Sequence, residues 1–187
     1  MKRTHTRPLP SGRVVPTEAA MVGTAMGAAG VGILTALTNP VVATLGAGNI
    51  LLYSGVYTYS KRKTEWNTWI GSVVGAVPPL MGWAAASGGA VLSGDAAMLT
   101  GLLFLWQFPH FFALSWMYRD DYARGGFQMV AVNDATGLRT AKLITDYSIY
   151  LTALPLVATA TGLTSSMYAV EGTVLNAYLV YIPFYAF

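Results

Sequence analysis

Residues 96–118 read AAMLTGLLFLWQFPHFFALSWMY, an unbroken run without Asp, Glu, Lys or Arg. A hydrocarbon core about 30 Å thick is crossed by about 20 apolar residues of α-helix. The run has that length and shows no polar–apolar alternation, so it reads as a helix and not as a strand of a closed barrel. Working outward, 68–87, 40–59 and 19–38 are equally free of charge, and 143–163 carries only Asp146. A sixth apolar stretch starts at Gly172 and is still open at Phe187. The fold class is therefore all-α: a polytopic transmembrane bundle of five complete helices and a partial sixth. Composition agrees, with 54% hydrophobic and 10% charged residues against about 25% charged in soluble domains. The absence of cysteine excludes disulfides and thiolate metal sites. No stretch has the charged start, short apolar core and cleavage site of a signal peptide.

Charge sorting supports the helix count. All 11 Lys and Arg fall in alternate connections. Lys2, Arg3, Arg7 and Arg13 precede the first helix, Lys61, Arg62 and Lys63 follow the second, and Arg119, Arg124, Arg139 and Lys142 follow the fourth. The intervening connections have none, so the basic side faces the cytoplasm or the mitochondrial matrix. The implied surroundings are a lipid bilayer, with no nucleic-acid partner. Gly23/Gly27 and Gly71/Gly75 are spaced for close helix approach, and Pro78-Pro79 is expected to kink the third helix. No repeat divides the chain, which reads as one domain over 1–187. Met1 opens onto a basic segment and Phe187 closes inside an apolar run, so the expectation is an internal portion of a longer protein.

Three polar clusters lie on the basic side. In the first, Arg3 and Arg7 flank a stiff Pro8-Leu9-Pro10-Ser11-Gly12 run, which serves equally as a charged anchor before a membrane helix. Leading into the second, Asn49, Tyr53 and Tyr57 recur every four residues and form one polar ridge. Such a ridge either bonds a neighbouring helix or lines a cavity. In the third, Arg119-Asp120-Asp121-Tyr122-Ala123-Arg124 mixes acids and bases ahead of Gly125-Gly126. Solvated surface ion pairs account for it, as does a magnesium–diphosphate site, in which Mg2+ takes one or two carboxylates and basic side chains neutralise the remaining phosphate charge. His110 stands alone, about 12 Å inside the basic end of the fourth helix at 1.5 Å per residue. A buried histidine is often structural. Within a membrane an ionisable residue is a functional candidate, here as haem-iron ligand, as base, or as hydrogen-bond partner of Gln107 on the same helix face.

These residues together resemble the protohaem IX farnesyltransferase family of intramembrane prenyltransferases. Lys2-Arg3-Thr4 with Arg7-Pro8-Leu9-Pro10-Ser11-Gly12 is similar to the segment that opens its third helix. Asn49-Ile50, Leu52-Tyr53, Tyr57-Thr58, Lys61-Arg62 and Asn67 follow, and then Pro78-Pro79, Gly82-Trp83 and Ala85. Trp106-Gln107, Pro109-His110-Phe111 and Ala113-Leu114 match next, and finally Arg119, Asp121-Tyr122, Gly125-Gly126 and Met129. The order is kept from Lys2 to about Met129.

The resemblance implies a nine-helix bundle, of which this chain would supply helices three to eight. It implies transfer of a farnesyl group from farnesyl diphosphate to a vinyl group of protohaem IX, with water trapping the product cation as an alcohol. Asp121 and Asp120 would hold Mg2+, and Asp121 and His110 would act in catalysis. Arg3, Arg7, Lys61, Arg62, Asn67, Arg119 and Arg124 would bind diphosphate, while Asn49, Tyr53, Tyr57, Trp106 and Gln107 would line the cavity. The family's first Asp-rich motif falls before Met1, so this chain alone is expected to be inactive. Phe108 and the Gly-Gly pair favour the mitochondrial inner membrane over a bacterial plasma membrane, with haem A synthase as a neighbouring enzyme. Two other readings stand: a sister prenyltransferase acting on a quinone precursor, and a non-catalytic transporter or assembly subunit.

Overall fold

The computed structural model describes residues 4–181, and those residues are helical with no strand. Arg3 lies outside the described residues. Five helices are long and apolar enough to cross a membrane: α1 (Pro16–Leu37), α2 (Pro40–Ser60), α3 (Asn67–Ala86), α4 (Gly94–Met117) and α7 (Leu138–Ala160). Between the last two lie short helices α5 (Arg119–Arg124) and α6 (Val130–Asn133), where the sequence suggested only a loop. Helix α8 (Ser166–Tyr181) is the partial sixth.

Local chemistry sets the starts. Proline occupies the first turn of α1 and α2, where its missing N–H costs nothing. Asn39 caps α2 by accepting from the Val42 amide at 3.1 Å and straps it to α3 by donating to the Ala84 carbonyl at 2.9 Å. Ser93 caps α4 through the Ala96 amide. Helix α7 begins at Leu138, not at Leu143 as the hydropathy suggested, because Asp134 gathers its first amides. Its carboxylate accepts from the Gly137 amide at 3.0 Å and from the Thr140 amide and hydroxyl at 2.7 and 2.8 Å. Both Pro78 and Pro79 sit inside a continuous α3.

Spanning helices pack on their successors along the chain, α1 on α2, α2 on α3, α3 on α4, α4 on α7 and α7 on α8. The core lies where α3, α4 and α7 meet, with Phe108, Phe112, Val130 and Ile144 buried against Trp69 and Tyr147. The Trp69 indole donates to the Tyr147 hydroxyl at 2.7 Å. Sidedness follows the charge sorting. At one end Asn39 meets Ala84, and Leu163 lies over Gly94. At the other the Gln128 amide donates to the Lys61 carbonyl at 2.8 Å, and Arg139 pairs with Glu65 at 2.7 Å. Among the described residues nothing lies within 4 Å of a Cβ built at Gly23, and one at Gly27 meets only the tip of Ile50 at 3.9 Å, so the close approach expected at this pair is not seen there.

Candidate functional site

The basic-side loops are tied together by one side chain. Asn67, only 1% exposed, donates through Nδ2 to the carbonyls of Thr64 at 2.6 Å and Gln128 at 2.5 Å. With the Gln128 amide on the Lys61 carbonyl, the segment after α5 is clamped to the α2–α3 connection. That clamp lays Gly126 against Arg62, so near that a Cβ would meet the guanidinium at 3.2 Å. Gly126 also has φ +70°, a left-handed conformation that favours glycine there.

The ridge expected on α2 is present and extends to Lys61. Tyr53 and Tyr57 have ring centroids 5.4 Å apart, and the Lys61 ammonium lies 4.1 Å from the Tyr57 ring and 5.4 Å from Tyr53. Burial pushes the Lys61 ammonium below its ordinary value. The ridge is straight because α2 contains a π-helical turn, Leu52–Tyr57. In a plain α-helix every four-residue step drifts by about 40° around the axis. A π turn, with about 4.4 residues, drifts the other way and cancels it.

Asp121 is buried and paired with Arg124 at 2.5 Å, whereas Asp120 is exposed. Arg119 stacks on the Trp116 ring at 4.3 Å. Among the described residues no three His, Asp or Glu converge as metal ligands. Mg2+ bound with substrate phosphates asks for only one or two carboxylates, which is the donor type that Asp120 and Asp121 offer at the start of α5. Arg7 is exposed in a segment that turns on itself, with Arg13 donating to the Thr6 carbonyl at 2.5 Å and to the Ser11 hydroxyl at 3.0 Å.

On α4 the expected trio divides. Trp106 and His110 are both exposed and stack at 5.0 Å with a 13° tilt. Gln107 is buried and turned toward α3. Its amide nitrogen, Nε2, donates to the carbonyls of Ser72 at 3.1 Å and Leu103 at 2.9 Å, bracing α4 on α3. The Gly71/Gly75 pair makes room for side chains: Tyr57 lies over Gly71 and Gln107 over Gly75. One small face of α3 thus seats a residue from each neighbouring helix.

Two cavities adjoin. One, about 590 Å³, is lined by Thr58, Tyr59, Arg62, Lys63 and Gly126. The other, about 660 Å³, is an apolar groove among α1, α2 and α3 lined by Ile33, Leu34, Gly46, Asn49, Tyr53 and Met81. Ser54 borders both. A charged compartment at the membrane surface therefore leads into an apolar one.

Several organising residues escaped the sequence reading. Gln128 acts through its backbone, which leaves no sequence signal. Glu65 accepts from Arg139, which holds its carboxyl below the ordinary value against burial, and from Asn133 at 2.8 Å. For Asp134, burial pushes the carboxyl up, but the Thr140 amide and hydroxyl with the Gly137 amide and Thr136 hydroxyl outweigh it and hold it low. An Asp three residues before a Gly at a helix start was the available clue.

A sequence model of the UbiA prenyltransferase family matches residues 1–187. The chain is 44% identical over 176 residues to the mitochondrial protoheme IX farnesyltransferase of Arabidopsis thaliana, covering 94% of this chain and 40% of the relative. It is 42% identical over 184 residues to the mitochondrial protoheme IX farnesyltransferase of Homo sapiens, covering 98% and 41%. Against the protoheme IX farnesyltransferase of Solibacter usitatus it is 41% identical over 181 residues, covering 97% and 61%. The chain thus spans less than two thirds of the length of these curated relatives. No solved structure matches it.

Proposed function

The chain belongs to the UbiA prenyltransferase family, and from that premise we propose that the protein farnesylates a vinyl group of protohaem IX to give haem O. The observation that carries this is the pair of adjoining cavities, charged beside Arg62, Lys63 and Gly126 and apolar beyond Ser54. An amphiphile with an anionic head and a hydrocarbon tail, such as farnesyl diphosphate, suits that sequence of surfaces. Arg62 and Lys63 hold the diphosphate, and Lys61 adds positive charge where its field is strengthened by partial burial. As the C1–O bond breaks, negative charge grows on the leaving group, so fixed cations favour the transition state over the ground state. Asp120 and Asp121 would hold Mg2+, which supplies charge neutralisation to the departing diphosphate. Tyr53, which lines the apolar groove, would stabilise the allylic cation through its π face, with Tyr57 stacked behind it.

Trp106 and His110 present a stacked, exposed aromatic pair, a flat surface suited to a porphyrin. We assign the haem side of the reaction to this face. The relatives do not favour the quinone-precursor enzyme or the transporter. The same reading puts the protein in the inner mitochondrial membrane with its basic end toward the matrix, and haem A synthase as partner.

The test uses protein purified from its complete gene. With farnesyl diphosphate, protohaem and Mg2+ it should form haem O, resolved by chromatography. Asp121→Asn should lower turnover and weaken its Mg2+ dependence more than Asp120→Asn. Prenylation of a quinone precursor with no haem O formed would overturn the reading.

A further inference from the structure

A further cavity, of about 360 Å³, lies on the basic side between the starts of α3 and α7, lined by Thr64, Glu65, Trp66, Trp69, Arg139 and Leu143. The reaction proposed above uses none of these side chains. The charges in the cavity form one pair. Arg139 donates through Nη2 to one Glu65 oxygen at 2.7 Å, and Asn133 donates to the other at 2.8 Å. The lining is therefore neutral, and an anion drawn by Arg139 is repelled by Glu65.

A zwitterion escapes that conflict. The rest of the Arg139 fork suits a phosphate oxygen. Both Glu65 oxygens already hold a donor, so the positive end that suits this carboxylate is one that needs no hydrogen bond. The tryptophans select the same group. Trp66 and Trp69 have ring centroids 5.0 Å apart and planes inclined at 51°, making two aromatic walls. Trp69 is fixed by its bond to Tyr147, while Trp66 is 65% exposed and reachable. A quaternary ammonium is held over such ring faces by cation–π attraction.

The surface below the cavity is apolar. Trp66, Trp69, Val73, Val77 and Leu80 recur every three or four residues and share one face of α3. A second cavity, of about 420 Å³, lies between Val73, Val77 and Leu80 of that face and Gly101 and Phe104 of α4. From Trp69 to Leu80 the helix rises about 16 Å, close to one leaflet of a hydrocarbon core about 30 Å thick.

We propose that the cavity between α3 and α7 binds the phosphocholine headgroup of a lipid in the basic-side leaflet. The phosphate meets Arg139, the quaternary ammonium meets Trp66, Trp69 and Glu65, and an acyl chain runs along α3 into the second cavity. The lipid so held bridges the starts of α3 and α7.

Protein purified from its complete gene, in a sugar-headgroup detergent, is titrated with dioleoyl phosphatidylcholine, phosphatidylethanolamine and phosphatidylglycerol. Native mass spectrometry counts the bound lipid, and identical acyl chains leave the headgroup as the variable. Phosphatidylcholine should bind most tightly. Trp66→Leu should weaken it about fivefold, the effect of one exposed cation–π contact, and leave phosphatidylethanolamine nearly unmoved. Trp66→Tyr keeps a π face and should stay close to wild type. Tightest binding of phosphatidylglycerol would make this an anion site and overturn the proposal. Equal binding of all three lipids, or phosphatidylcholine binding untouched by Trp66→Leu, would leave only an ordinary lipid shell and overturn it as well. The wild-type ranking decides the matter even where a variant does not fold.

Discussion

Gly75→Ala tests whether Gln107 braces α4 on α3. A methyl group at residue 75 would stand 2.0 Å from Gln107 Oε1 and 2.7 Å from Cδ. The amide cannot simply swing aside, because Nε2 is engaged by the Ser72 and Leu103 carbonyls. Alanine gains about 1 kcal/mol over glycine in helix propensity. Against that, two hydrogen bonds in a membrane bundle are lost at about 0.6–1 kcal/mol each. The displaced amide, left unpaired among apolar helices, costs about 1–3 kcal/mol more. Eviction wins by about 1–4 kcal/mol, which lowers Tm by about 2–16 °C for a chain of this size. Thermal unfolding in detergent reads the loss. Adding Gln107→Ala empties the contested space, so the double variant should recover at least about 1 kcal/mol relative to additivity. An unchanged Tm for Gly75→Ala, or strictly additive losses, would refute the bracing role.

Asn67→Leu removes both donations that clamp the basic-side loops, so KM for farnesyl diphosphate should rise about tenfold while that for protohaem moves less; equal rises would reduce Asn67 to a general scaffold residue. Asp134, with its carboxyl held low in the fold, contributes stability at neutral pH that disappears as pH falls from the ordinary carboxylate range through its depressed value. Wild type and Asp134→Asn should therefore differ in Tm at neutral pH and converge in acid, and a constant gap across pH would contradict this. Single cysteines at Lys63 and Arg124 should react with an impermeant thiol reagent from one side of the membrane, and one at Leu92, 98% exposed, from the other. Labelling of residues 63 and 92 from the same side would break the topology.

Hydropathy and charge revealed the bundle because lipid imposes its demands on whole segments. Twenty uncharged residues and one-sided Lys and Arg are collective signals, and a few ambiguous positions do not blur them. Single-residue events were harder to read. The start of α7 depends on Asp134 bonding to Thr140, which outweighs the polarity of Arg139 and Lys142 that had pushed the expected start to Leu143. Gln107 and His110 share a helix face on paper, yet the space at Gly75 draws Gln107 toward α3. The contact between Lys61 and Gln128 is made by backbone atoms, which every residue has and no sequence advertises. For the site, the ridge from Asn49 to Tyr57 was legible, but its continuation to Lys61 needed the π turn that realigns it.

That turn has a genetic consequence. A π turn holds one more residue than the α-helix that would replace it. Loss of a single codon between 52 and 57 leaves an uninterrupted α-helix, with apolar length, charge sorting and backbone hydrogen bonds intact. One turn of π-helix is then exchanged for one turn of α-helix, so residues 40–51 keep their facing against those that follow to within about 10–20°, and Asn49 stays near the line of Tyr57 and Lys61. Elsewhere in α2 there is no surplus residue, and the same one-codon loss turns everything before it by about 100°, so a scan of single deletions along α2 should find 52–57 the tolerant window.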